Sequence, residues 1–105
     1  MDQEELTKQF NLISLAGTAK SLVYDALGKA ADGDYQTAEE ELKQADDYLG
    51  QTHDIQAAEI QKLVDGGDPT PVNLIDVHAQ DHLMSAIEVR SLADVIIKLY
   101  KKIGK

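Results

Sequence analysis

Apolar residues recur at every third or fourth position through almost the whole chain, and only two short breaks interrupt the pattern. That leaves three long amphipathic helices as the economical fold. In the first stretch they fall at Leu6, Phe10, Ile13, Ala16 and Gly17, Ala19, Val23, Ala26 and Leu27, and Ala30. Gly33 marks the first stop and Asp34 is a suitable N-cap for the second helix. The second stripe runs Ala38, Leu42, Ala45, Leu49, Thr52 and continues less regularly through Ile55, Ile60 and Leu63. The run Gly66-Gly67-Asp68-Pro69-Thr70-Pro71 then forbids continuation. Thr70 or Asn73 can cap the third helix, with Pro71 tolerated in a first turn. The expected helices cover 4–32, 34–65 and 71–103 of a single domain, 1–105.

Helices of that length joined by short turns lie antiparallel, so the expected class is all-α, an up-down-up three-helix bundle. The third helix carries two stripes. One reads Leu74, His78, Asp81, Ser85, Glu88, Leu92, Val95, Leu99; the other reads Ile75, Ala79, Leu83, Ala86, Arg90, Ala93, Ile97, Tyr100. A lone bundle buries one stripe per helix, so the second implies packing against further copies of the chain. Gly17 and Gly28 each cost roughly 1 kcal/mol against Ala in a helix interior, which a close approach of a neighbouring helix backbone would offset.

The 19 acidic against 10 basic residues give a net charge of -9, which argues against nucleic-acid binding, since neutralising phosphates requires a cationic surface. Cysteine is absent, which removes disulfides, thiol nucleophiles and thiolate metal ligands and fits a cytosolic protein. The acidic start, Met1-Asp2-Gln3-Glu4-Glu5, lacks the features of a signal peptide, and no run is long enough to span a membrane.

Chemistry concentrates in Val77-His78-Ala79-Gln80-Asp81-His82-Leu83-Met84. On a helix His78, Asp81 and His82 share one face, while Gln80 points away. An exposed neutral imidazole can accept a phosphoryl group and pass it on. The chain has neither a phosphate-cradling Gly-rich loop nor a kinase-like set of residues, so that group would have to come from another protein. Alternatively His78 and His82 form an i, i+4 metal pair, joined by Asp81 or His53, in a helical metal-binding or adaptor protein. Spacing alone also allows plain hydrogen-bonded histidines at a helix seam.

The sequence resembles the lactose/cellobiose-type IIA family of the bacterial phosphoenolpyruvate-dependent sugar phosphotransferase system, which includes N,N'-diacetylchitobiose-type members. The residues that carry the likeness are Ala16-Gly17-Thr18-Ala19-Lys20-Ser21, then Ala26-Leu27 with Gly33-Asp34-Tyr35, His78-Ala79-Gln80-Asp81-His82-Leu83-Met84, and Leu99-Tyr100-Lys101.

The resemblance implies that His78 is phosphorylated by the phosphocarrier HPr and donates to the cognate IIB component, with the sugar phosphorylated during uptake through the IIC permease. It implies a homotrimer, a nine-helix bundle, in which three copies of Asp81 gather at the axis around a divalent cation such as Mg²⁺. Gln80 and His82 are expected in supporting roles, and His53 is left outside the site because its flanks depart from the family pattern. Ala79 resembles the cellobiose and chitobiose types rather than the lactose type, which has Gly there.

Overall fold

The computed structural model describes residues 2–66 and 71–104. It is an all-helical chain of three long helices, α1 Gln3–Ala31, α2 Tyr35–Val64 and α3 Leu74–Lys102. Each start is fixed by a side chain that satisfies backbone N–H groups lacking an intrahelical partner. Asp2 accepts from the Glu5 amide at 2.8 Å, and Asp34 accepts from the Thr37 amide at 3.2 Å. These bonds from Thr37 hold the Asp34 carboxyl below its ordinary value.

At α3 the Asn73 side chain accepts from the Asp76 amide while Asp76 accepts from the Asn73 amide, a reciprocal capping box. The helix therefore starts at Leu74, three residues later than the boundary at 71, and Pro71 lies in the connection rather than in the first turn. The alternative cap Thr70 and the rest of 67–70 lie outside the described residues. Gly33 and Gly66 take φ values of 84° and 78°, the left-handed conformation that a side chain would strain.

Side-chain pairs define the topology. Gln56 on α2 bonds Gln80 on α3, and Asp46 bonds Arg90, so α2 and α3 run antiparallel. Leu12 packs with Ala79 and Leu83, whereas Val23 and Ala26 pack with Ala93 and Ile97, so α1 and α3 run parallel. The bundle is up-down-up, 55 × 23 × 20 Å.

Alanine dominates the interior: Ala16, Ala19, Ala26, Ala30, Ala45 and Ala86 are all fully buried. Small side chains let helix axes approach to the lower end of the usual 8–10 Å range. Helix α1 packs closely against both partners, while α2 and α3 touch each other sparingly. A groove of about 840 Å³ at one end of the bundle is lined by residues including Gln9, Glu59, Leu63, Val77 and Asp81, with the Gln56–Gln80 bond on its wall. Toward the other end Arg90 ties α2 to α3, donating to both Asp46 oxygens at 2.6 and 3.1 Å and to Asp94 at 3.1 Å. These carboxylates push the Arg90 guanidinium to a higher pKa than usual.

The two stripes of α3 part company. Ala79, Leu83, Ala86, Ala93 and Ile97 are buried, and the stripe containing His78 faces outward, with Leu74 84% exposed, Leu92 55%, Val95 61% and Leu99 59%. One expectation fails: a Cβ at Gly17 or Gly28 would meet nothing within 4 Å, so neither glycine admits a close helix within the chain.

Candidate functional site

His78 and His82 stand one turn apart on α3, at the spacing that brings i and i+4 side chains together. Their Nε2 atoms lie 3.1 Å apart and their rings meet edge to face, 4.5 Å between centroids with planes at 89°. One Nε2 must carry hydrogen and the other must offer its lone pair for this contact to be a hydrogen bond. When His82 donates, the exposed His78 ring has its proton on Nδ1 and holds an unprotonated Nε2, the form of imidazole that can attack an electrophile.

Each neighbour of the pair is placed by the helix period. Leu74, Val77 and Met84 are exposed, not core. Gln80 lies on the opposite side of α3, where its side-chain oxygen accepts from Gln56 Nε2 at 2.7 Å. It anchors α3 to α2 and does not join the histidines. Asp81 is exposed and has no hydrogen bond or ion pair with another described residue. His53 is exposed on α2.

A metal at this place would need three or four ligands. Among the described residues no three His, Asp or Glu side chains converge in that way. The ligands of a single chain therefore do not fit a metal site, and the nucleophilic chemistry open to His78 requires none.

A contact that the spacing of motifs did not announce lies two turns further along α3. Lys20 of α1 donates from Nζ to Ser85 Oγ at 2.6 Å. Ser85 was visible as a member of the outward stripe and Lys20 as part of the first helix, but nothing local joins residues 65 positions apart.

The family model of the PTS system lactose/cellobiose-specific IIA subunit matches residues 7–101. The chain belongs to the lactose/cellobiose-specific IIA family. As a IIA component it is a phosphotransferase component of a sugar phosphotransferase system, a protein that relays phosphoryl groups. It is 38% identical over 103 residues to the lichenan-specific phosphotransferase enzyme IIA component of Bacillus subtilis strain 168, covering 98% of this chain and 93% of that protein. Its fold is similar to the crystal structure of the PTS cellobiose-specific enzyme IIA from Bacillus anthracis, with a TM-score of 0.90 at 37% identity over 98% of this chain and 93% of that one. It is also similar to a chain from the solution structures of the IIA(Chitobiose)-HPr complex of Escherichia coli, with a TM-score of 0.77 at 33% identity, covering 100% of this chain and 99% of that one. Among the described residues of this IIA chain no helix is long and apolar enough to cross a membrane.

Proposed function

We propose that His78 is the phosphoryl-accepting residue of this IIA component, charged by HPr and discharged onto the cognate IIB component in the cytoplasm. The observation that carries the reading is an exposed His78 whose Nε2 is poised against His82 Nε2 on the rigid surface of α3. A relative of similar fold in complex with HPr supports the same donor here.

In the transfer the His78 lone pair attacks phosphorus in line with the phosphohistidine nitrogen of the carrier. A new N–P bond forms as the old one breaks, and the departing electron pair returns to the carrier's ring. His82 must swing away from the Nε2 it covers, so the pair exchanges one hydrogen bond for one covalent bond at the same atom. The exposed Leu74, Val77 and Met84 supply an apolar docking rim around the ring. Docking is transient, because a carrier held tightly would block the next transfer.

The outward stripe of α3 repeats at alternating steps of four and three residues, the period of helices that coil around one another. This supports a homotrimer whose three α3 helices meet along Asp81, Leu92, Val95 and Leu99, with His78 at the edge of that seam and open to a carrier. Three Asp81 carboxylates would then face one axis, where a divalent cation such as Mg²⁺ offsets their repulsion. For the sugar we propose a β-linked disaccharide of the cellobiose or chitobiose kind, carried inward by a IIC permease. Ala79 and the likeness to relatives named for lichenan and cellobiose support that choice.

The test is incubation with phosphoenolpyruvate, enzyme I and HPr, with mapping of acid-labile phosphate afterwards. Label is expected on His78 and none on His78→Gln. An unlabelled wild-type chain beside a labelled control acceptor would return the protein to the metal-binding or adaptor reading.

A further inference from the structure

The spacing of the two histidine nitrogens matches more than a hydrogen bond. Two imidazole nitrogens bound to one zinc ion at about 2.0–2.1 Å stand about 2.9 Å apart at a right angle and about 3.3 Å apart at the tetrahedral angle. His78 Nε2 and His82 Nε2 are 3.1 Å apart, inside that interval. The ring centroids are only 4.5 Å apart, too close for rings laid end to end, so the rings are inclined to the line joining the nitrogens. Histidines at i and i+4 of a helix can hold one ion together without any change of backbone, as they do in H-E-x-x-H zinc helices.

The surroundings favour a cation that comes and goes. Both residues lie inside α3, so the helix fixes their spacing before an ion arrives. His78 is exposed and His82 partly so, which leaves the pair open to solvent. The pair is one ligand short of a resident metal centre. An exchangeable ion fills its remaining positions with water or with the carboxylate of Asp81, which stands on the same face and has no partner among the described residues. A chain at -9 gathers cations near its surface, and imidazole ligands prefer zinc or copper to magnesium.

We infer that His78 and His82 chelate an exchangeable transition-metal ion of the zinc type through their two Nε2 atoms. In the neutral pair one Nε2 carries hydrogen. That ring gives this proton to water and takes another on Nδ1, so both nitrogens present lone pairs and no net proton is released. The consequence for the relay rests on His78 being the phosphoryl acceptor. An ion on its Nε2 uses the lone pair that forms the N–P bond, so metal and phosphoryl group exclude each other at that atom.

The experiment has two arms. In the first, zinc chloride is titrated in competition with a chromophoric zinc indicator, in excess magnesium, against wild type, His78→Gln, His82→Ala and His53→Ala. The wild type is expected to bind one zinc per chain, His78→Gln and His82→Ala to bind it at least about tenfold more weakly, and His53→Ala to match the wild type. In the second, HPr phosphorylated beforehand and separated from enzyme I donates to wild type and His82→Ala with and without zinc. Zinc is expected to slow transfer to the wild type, and to slow transfer to His82→Ala only at about tenfold higher concentration. The first arm needs no phosphoryl donor, so a wild type that HPr fails to charge refutes the acceptor role while the chelate stands or falls on its own titration. Equal zinc affinity in wild type and a helical His82→Ala would overturn the inference, as would one zinc per three chains that magnesium displaces. Zinc that binds the pair yet leaves transfer unslowed would overturn its effect on the relay.

Discussion

Nε2 of His82 lies 3.1 Å from Nε2 of His78, so when His82 donates, the contact occupies the nitrogen of His78 that is free to react. In that arrangement His82 holds the His78 ring in one tautomer and must be displaced for transfer. His82→Ala should still accept label on His78 but with an altered rate, and its imidazole nitrogens should show a changed tautomer balance by ¹⁵N NMR. Label that maps to His82 in the wild type and is lost in a folded His82→Ala protein would mean that His82, not His78, carries the group.

Leu83 is 1% exposed between Leu12 and Ala79, one residue from His82. Leu83→Ala removes buried methyl groups and leaves a cavity, so it should cost about 2–5 kcal/mol in urea unfolding. Exposed Met84→Ala, its neighbour in sequence, should change stability far less, by about 0.5 kcal/mol at most. Similar losses for the two would contradict the burial pattern of α3.

The outward stripe predicts assembly. Leu99→Glu, placed where Leu99 is 59% exposed, should leave the helical content of the chain intact and yield monomers by sedimentation. A trimer that survives this change, or a wild-type chain that sediments as a monomer, would remove the proposed seam.

At the same seam Asp81→Leu replaces a group that repels its copies with an apolar one. The trimer should persist and become harder to dissociate, and magnesium should no longer raise its melting temperature. Weaker assembly in this variant would mean that the cation is a required bridge.

Burial, and then the proximity of Asp25, raise the pKa of the Glu41 carboxyl above its ordinary 4.5, so folding favours its protonated form. Stability from this group is greatest at acid pH and falls as pH rises from about the unfolded value of 4.5 through the raised folded value. Glu41→Gln should flatten that part of the stability curve and stabilise the protein at neutral pH, by no more than about 0.5 kcal/mol since solvent screens the pair. Thermal melts across pH 4 to 8 check it; a destabilised Glu41→Gln at neutral pH would reverse the sign.

Much of this molecule is written in local periodicity. The three helices, the stop at Gly33, the cap at Asp34 and the shared face of His78 and His82 all come from rules that act within about two turns, where spacing alone fixes geometry. The opposite direction of Gln80 obeys the same rule. What spacing cannot supply is the choice between equivalent faces and the meeting of distant residues. Both stripes of α3 are apolar enough to be core, and only packing against the alanine faces of α1 and α2 turned Ala79 and Leu83 inward and Leu92 and Leu99 outward. Gly17 and Gly28 carried an expectation of close helix contact that packing within the chain does not meet. The Lys20–Ser85 bond and the Gln56–Gln80 tie exist because of helix register, a property summed over many weak side-chain contacts and encoded at no single position.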